Sequence, residues 1–205
     1  NCIEEFRTMN QLTRSDLMSL EEYAERRDQM RRDVMAHKKD RKLSIGPDAN
    51  LYFEDRTTIL YQVQEMLRAE RIFEAEGIQE ELDAYNPLIP DGSNFKATFM
   101  LEYPDREERA VKLAGLIGVE DTVWVQVEGF EKVFAIADED LERETEEKTS
   151  SVHFMRFELT TEMVAALKAG ADLNAGIDHT NYPFTVTPVP QATRDSLTND
   201  LGTVH

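Results

Sequence analysis

The chain has 205 residues, of which 40% are hydrophobic, and it carries a formal net charge of −18 at pH 7. This length and hydrophobic fraction predict one folded domain with a substantial core and argue against a wholly disordered chain. An acidic excess of this size repels phosphate backbones, so we expect no nucleic-acid partner.

The N-terminal extension, residues 1–12, is predicted to be flexible and irregular. It contains Cys2, the single cysteine, which excludes an internal disulfide and any zinc or iron–sulfur site built from this chain's thiols alone. Its letters, NCIEEFRTMNQL, have neither a basic start nor an apolar core, and no long uncharged apolar run follows. The expectation is a cytoplasmic protein that does not insert into membranes.

Residues 13–90 are predicted to be rich in helices. Ser19 and Glu22 form the ends of a capping box, which marks the start of the first helix. A Gly-Pro turn between two short β-type runs predicts a hairpin, and Gly77 ends the next helical pattern. The predicted elements are a helix from Leu20 to about Lys39, strands at Lys42–Ile45 and Leu51–Glu54, and helices at Thr57–Glu76 and Ile78–Tyr85.

Residues 91–190 are predicted to be rich in strands, because the hydrophobic period changes to two at Phe95. The predicted strands are Phe95–Tyr103, Thr122–Val127, Lys132–Ala137, Ser151–Leu159, Asp172–Ile177 and Phe184–Val186. Helices are predicted at Arg106–Ile117 and, capped by Thr160, up to Gly170. Short turns join most of the strands, which favours an α+β fold with an N-terminal helical layer packed on a largely antiparallel sheet. Residues 191–205 are predicted to be a peripheral tail.

The most unusual feature is a carboxylate within an apolar helical face. On a helix through Thr57–Phe73, Glu70 falls near the centre of the arc formed by Ile59, Leu60, Val63, Met66, Leu67 and Phe73. On the first helix, Arg27 and Arg31 are positively charged residues that likewise fall on an apolar face. Because a lone buried charge is costly, the sequence predicts that these groups are partners, joined by Glu54 and Asp55.

This charged network has three interpretations. It can be a structural ion-pair network that locks two helices together, since arginine forks suit carboxylates. It can be a site in which the arginines hold an anionic ligand and the carboxylates orient them or exchange protons. The third interpretation is a metal site, with Glu54, Glu65, Glu70 and His37 as candidate ligands, which the nearby arginines disfavour. No cofactor is predicted, and a metal ion is left open.

Two residues of the strand Ser151–Leu159 carry the same ambiguity. His153 lies on one face with Met155 and Phe157, a position typical of a hydrogen-bonded core histidine rather than a catalytic base. Arg156 lies on the other face. The acidic run that precedes them, 138–147, is predicted to be an exposed surface or a docking face for a basic partner.

Four separated motifs resemble one bacterial family of uncharacterised proteins, the domain-of-unknown-function family 3501. They begin at Leu51 (LYFEDRT), Tyr61 (YQVQEMLRAERI), Glu81 (ELDAYNPLIPDG) and Lys148 (KTSSVHFMRF). The resemblance spans about Leu12 to Leu201. These motifs contain Arg56 together with residues already singled out on physical grounds, which are Glu54, Asp55, Glu65, Glu70, His153 and Arg156.

The resemblance implies a functional context, because this family is often encoded beside rubrerythrin-like di-iron proteins and iron–sulfur oxidoreductase subunits. We therefore expect an accessory or binding protein of an iron-protein redox module, with one of those proteins as partner. The alternatives are an enzyme or metal-dependent protein with a carboxylate and arginine site around Glu70, or a purely structural subunit.

Overall fold

Two antiparallel β-sheets pack face to face, and helices cover the outer face of the larger sheet in the computed structural model, which describes residues 2–202. The large sheet has the strand order β1-β2-β3-β7-β6 and the small sheet the order β5-β4-β8-β9. The strands are β1 (Lys42–Ile45), β2 (Ala49–Glu54), β3 (Asn94–Leu101), β4 (Val123–Val127), β5 (Val133–Phe134), β6 (Ile136–Ala137), β7 (Val152–Glu158), β8 (Leu173–His179) and β9 (Tyr182–Val186).

Several of the helices begin directly after a capping side chain. The helices are α1 (Cys2–Asn10), α2 (Leu20–Lys38), α3 (Arg56–Ala69), α4 (Ala75–Tyr85), α5 (Arg106–Ala114), α6 (Thr161–Lys168) and α7 (Gln191–Thr198). Ser19 accepts a hydrogen bond from the Glu22 amide at the start of α2, and Asp55 and Thr58 form a capping box at the start of α3. None of the helices among residues 2–202 is both long and apolar enough to cross a membrane.

The α+β fold class is confirmed, with two sheets where the sequence suggested one. The reason is that each sheet has one apolar face, and the two faces bury one another. Strand β3 alternates as predicted, with Phe95, Ala97 and Phe99 turned towards the small sheet and Lys96 and Thr98 turned away from it.

The helices bury a separate core of their own. Its buried members are Leu12, Ile59, Val63, Leu67, Leu82 and Ile89. The outer face of the large sheet lies between this core and the core that the two sheets enclose, and it carries polar side chains such as Glu54 and Thr98. The molecule thus has two hydrophobic cores separated by a polar layer.

Three predicted boundaries need correction. The predicted second helix does not continue to Glu76, because α3 ends at Ala69 and Arg71 takes a left-handed backbone conformation with φ of 53°. The predicted irregular N-terminal extension contains α1. The predicted tail is not peripheral between 191 and 202, where α7 buries Leu197 and is followed by the buried Asp200. Residues 203–205 lie outside the described part.

Candidate functional site

The predicted charge network around Glu70 does not form. Glu70 is exposed, because α3 ends immediately before it and the residue no longer continues the apolar face. Arg31 is also exposed. Arg27 instead binds Glu65, with Nε to Oε1 at 2.8 Å and Nη2 to Oε2 at 3.2 Å. The prediction that Glu70 is a buried partner of these arginines is therefore wrong.

Glu65 takes the position that the sequence assigned to Glu70. The Tyr23 hydroxyl also donates to Glu65 Oε1, at 2.9 Å. Although burial opposes the effect, the hydrogen bonds from Arg27 and Tyr23 hold the pKa of Glu65 below its usual value. This ion pair joins α2 to α3 at the protein surface. Arg56 likewise makes a surface ion pair, with Asp16 at 2.9 Å.

A second, buried charge network centres on Arg41, which the sequence analysis did not single out. Its guanidinium donates to both carboxylate oxygens of Asp200, at 2.5 and 3.1 Å, and also to the carbonyls of Phe53 and Glu54. Asp55 lies 3.6 Å from the same guanidinium. This pair is not apparent from the sequence, because 159 positions separate its members. Arg41 also stands close to the exposed basic residues Lys39 and Lys42.

His37 extends this network to the end of α2. Its Nε2 lies 2.6 Å from Asp55 Oδ2, and Asp55 also caps α3. The network therefore fixes the end of α2, the end of β2, the start of α3 and the segment after α7 against one another. The side-chain partners of Asp55 are His37 and Arg41, rather than the predicted Arg27 and Arg31.

A cavity of about 430 Å³ lies beside this network, between the helices and the outer face of the large sheet. We call it the interlayer pocket. Its lining residues are Lys38, Arg41, Tyr52, Phe53, Glu54, Thr58, Gln62, Tyr85, Leu88, Thr98, Met100, Val152 and Phe154. Seven of these thirteen side chains are aromatic or aliphatic, and the other six are polar or charged. Small-molecule sites commonly have this size and this composition.

Glu54 is the carboxylate of the interlayer pocket. Its Oε2 accepts a hydrogen bond from Thr58 Oγ1 at 2.5 Å, and its Oε1 accepts one from Thr98 Oγ1 at 3.0 Å. Within residues 2–202, no lysine, arginine or histidine nitrogen lies within 4.0 Å of this carboxylate. Glu54 is thus a partly buried carboxylate that two hydroxyls position and no cation neutralises.

A second cavity, of about 550 Å³, shares Tyr85, Leu88 and Phe154 with the interlayer pocket. Arg156 lies at its far end, on the outer face of the large sheet, as predicted. Its guanidinium binds Glu139 through two nitrogens, at 2.8 Å each. The charge of Arg156 is therefore already neutralised by Glu139.

His153 lies in the core on the opposite face of the large sheet and is fully buried. Its Nδ1 is 2.6 Å from Asp138 Oδ2, and its Nε2 is 2.9 Å from both Thr149 Oγ1 and the Ser150 carbonyl. The prediction of a hydrogen-bonded core histidine is confirmed. The acidic run was predicted to be exposed, which is wrong for Asp138, because this residue turns inward to bind His153.

The neighbourhood of His153 also contains two carboxylates in contact with each other. Burial, together with the hydrogen bond that the protonated Glu120 donates to Glu144, raises the pKa of Glu120 to about 7. Glu144 in turn accepts a hydrogen bond from the Gly118 amide at 2.6 Å. Thr149 Oγ1 lies 3.5 Å from Glu120, which connects this pair to His153. We call these residues, with Asp138, the His153 cluster.

The residues that could hold a metal ion in the structure differ from the predicted ligands. In the part of the chain that the structure describes, the one group of ligand atoms close enough to hold a cation comprises Glu120, Asp138 and His153, all within 4.8 Å of one another. Glu54, Glu65, Glu70 and His37 do not form such a group. Both imidazole nitrogens of His153 and one oxygen of Asp138, bound by Arg143 at 3.1 Å, are already hydrogen-bonded. The cluster is therefore complete as a hydrogen-bond network.

Comparison with known proteins identifies relatives whose function is also unknown. A family described as "Protein of unknown function (DUF3501)" matches residues 11–201. A crystal structure of a "novel protein of unknown function" from Burkholderia pseudomallei K96243 is 54% identical to this chain. The match covers 93% of this chain and 98% of the other, with a TM-score of 0.88. No curated protein matches the chain.

Proposed function

The chain belongs to the DUF3501 family of proteins of unknown function, and we propose that it is a binding protein whose interlayer pocket takes a small organic cation. One observation carries the proposal: Glu54 lines a cavity of about 430 Å³ and has no cationic partner within 4.0 Å in the part of the chain that the structure describes. A carboxylate removed from water retains a strong preference for positive charge. A ligand ammonium group would supply the charge that the protein does not.

The side chains that line the interlayer pocket indicate what the uncharged part of the ligand should be. Tyr85, Leu88 and Phe154 form an apolar surface on the side that leads to the second cavity. Burial of an aliphatic or aromatic body there contributes about 25 cal/mol for each Å² removed from water. The aromatic rings can also contact a cation through their faces. We therefore expect a compact amine with an apolar body rather than a metal ion or a sugar.

Binding of matched probes tests this function. Calorimetry would compare 2-phenylethylamine, tryptamine and cyclohexylmethylamine with the corresponding alcohols, which have the same body without the charge. We expect the amines to bind and the alcohols to bind at least about tenfold more weakly. Glu54→Gln should remove this preference, while Glu131→Gln, an exposed residue outside the pocket, should preserve it. Equal binding of amines and alcohols, or no binding of any amine, would refute the proposal.

We also propose that this binding protein acts in the cytoplasm as an accessory to an iron-protein redox module, with a rubrerythrin-like di-iron or iron–sulfur protein as partner. The resemblance noted for its motifs supports this context. The acidic run supports a docking role, because Glu139, Asp140, Glu142, Glu146 and Glu147 are exposed. Capture of such a partner from a lysate should weaken when salt is raised. Repeated recovery of the protein alone would contradict the partnership.

A further inference from the structure

The interlayer pocket contains a second charge without a partner, which narrows the class of ligand. Resting on the function proposed above, we infer that the ligand is a small zwitterion of the amino-acid type, with its ammonium group on Glu54 and its carboxylate on Lys38. Both side chains line the same cavity. Among residues 2–202, neither side chain has an oppositely charged partner within 4.0 Å, and they do not form an ion pair with each other.

Lys38 occupies the last turn of α2 and is partly exposed. Within residues 2–202, no carboxylate oxygen lies within 4.0 Å of its ammonium group. Its Nζ lies over the Tyr61 ring, 5.8 Å from the ring centroid. This ring restricts the lysine without neutralising it.

Arg41 cannot perform the same role, although it also lines the interlayer pocket. Both of its terminal nitrogens donate to Asp200, and its Nε donates to the Phe53 carbonyl. The positive charge of Arg41 is therefore neutralised inside the protein. Among the cations that line the cavity, Lys38 is the one that remains for an anionic group of a ligand.

The arrangement of charges selects a zwitterion over a simple cation. Glu54 and Lys38 do not meet within 4.0 Å, yet one cavity of about 430 Å³ includes both. A simple amine would satisfy Glu54 and leave Lys38 unpaired, and a simple carboxylate would do the reverse. A molecule with both charges a few bonds apart satisfies both residues at once. Its side chain would then lie against Tyr85, Leu88 and Phe154.

The inference is tested with three probes that share one aromatic body: L-phenylalanine, 2-phenylethylamine and 3-phenylpropionate. We expect phenylalanine to bind at least about tenfold more tightly than either single-charge analogue, the increment of a charge-assisted hydrogen bond. Parallel series built on L-leucine with isopentylamine, and on L-tryptophan with tryptamine, would separate the recognition of charge from the fit of the side chain.

Two variants test which residue binds each charged group of the ligand. Lys38→Met should lower the affinity for phenylalanine to that of 2-phenylethylamine and leave the affinity for the amine unchanged. Glu54→Gln should weaken both. Lys39→Met serves as the matched control, because Lys39 is exposed and lies outside the pocket. Unfolding curves would confirm that each variant is folded, and Lys38→Gln would replace Lys38→Met if the latter were unstable.

The outcomes separate this inference from the function on which it rests. If the amines bind through Glu54 but no amino acid binds more tightly, the zwitterion is wrong and the cation-binding function stands. If 3-phenylpropionate binds through Lys38 independently of Glu54, the site is an anion site and both fail. If none of the probes in the three series binds, both are again refuted.

Discussion

At the scale of single residues, Arg41 shows how one side chain can hold distant parts of a chain together. It is 2% exposed, and it binds Asp200 and two backbone carbonyls at the end of β2. A buried ion pair need not stabilise a fold relative to an apolar pair, but removing one member leaves the other charged and without a partner. The surface pair of Arg27 and Glu65 lacks this property, because water solvates either member when the other is removed.

We predict that Arg41→Met lowers the free energy of unfolding by about 3–5 kcal/mol, because Asp200 is then buried without its cation. Urea denaturation followed by circular dichroism would measure this loss. Arg31→Met, at an exposed position with no ion pair among the described residues, should change stability by less than about 0.5 kcal/mol. The double variant Arg41→Met/Asp200→Leu should recover part of the loss. Equal effects of Arg41→Met and Arg31→Met would contradict the role assigned to this pair.

Glu120 gives the second prediction at this scale. In the folded protein its pKa is about 7, above the ordinary value of 4.5, because burial disfavours the carboxylate. Below pH 4.5 both folded and unfolded chains are protonated at this residue, and its ionisation has no effect on stability. As the pH rises towards 7, the unfolded chain releases the proton more readily than the folded chain does. Ionisation of Glu120 therefore costs stability progressively from about pH 4.5 to 7.

Glu120→Gln removes this titration while retaining an amide that can donate to Glu144. We expect the stability of the wild type, relative to this variant, to fall by about 2 kcal/mol between pH 5 and pH 8, a value that allows for solvent screening. Chemical denaturation at both pH values would measure the difference. For Glu131→Gln, at an exposed position, the difference from wild type should not change with pH. A constant difference for Glu120→Gln would show that Glu120 is ionised throughout this range.

At the scale of secondary-structure elements, Tyr182 of β9 joins the small sheet to the β1–β2 hairpin of the large sheet. Its hydroxyl accepts hydrogen bonds from the amides of Asp48 and Ala49, at 3.0 and 2.9 Å, and donates to the Ile45 carbonyl at 2.6 Å. Gly46 allows this approach, because a Cβ there would lie 2.6 Å from the tyrosine hydroxyl. One phenol thus satisfies three backbone groups of a tight turn.

We predict that Tyr182→Phe destabilises the protein by about 2–3 kcal/mol, because it leaves buried backbone groups without partners. Tyr52→Phe is the matched control, since its hydroxyl donates to Glu102 at the exposed surface, and it should cost less than about 1 kcal/mol. Hydrogen exchange would locate the effect, with faster exchange at Asp48 and Ala49 only in Tyr182→Phe. Unchanged protection of these amides would show that the turn does not depend on the phenol.

The elements themselves were largely predictable from sequence, because their signals are local. The cap at Ser19, the turn after Ile45 and the alternation from Phe95 each lie within a few residues of the element that they define. The end of α3 was not predictable in this way. The apolar spacing of the sequence continues past Ala69, whereas the chain turns at Arg71. This residue has a left-handed backbone conformation, which is usually predicted from a glycine, and position 71 is not a glycine.

The candidate site was predictable only in part, because its partners are distant in sequence. Glu54 and Asp55 were identified from their position before α3, and both lie in or beside the interlayer pocket. Asp200 was missed, since a short polar segment after a proline gives no sign that it is buried. Lys38 was missed because its unpaired state depends on where every carboxylate lies in three dimensions. Periodicity cannot supply that information.

At the scale of the whole molecule, two cores and a polar layer explain where a ligand can bind. The helical core and the sandwich core each exclude water by close packing, while the layer between them contains charged and hydroxyl side chains and encloses a cavity of about 430 Å³. The interlayer pocket is a consequence of this layer. Its position between two independently packed units is one in which ligand sites are commonly found.

The net charge of −18 gives the last prediction, because like charges repel one another more in the compact state than in the unfolded chain. Added salt screens this repulsion and also weakens the attraction in surface ion pairs. The repulsion should dominate, since exposed ion pairs are worth little individually. We therefore expect sodium chloride, raised from about 0.02 to 0.3 M, to stabilise the protein by about 1 kcal/mol and to raise the thermal midpoint by roughly 3 °C. Glu146→Lys/Glu147→Lys, which lowers the acidic excess at exposed positions, should show a smaller increase. A midpoint that falls with salt would mean that ion pairs, rather than repulsion, determine the electrostatic balance of this fold.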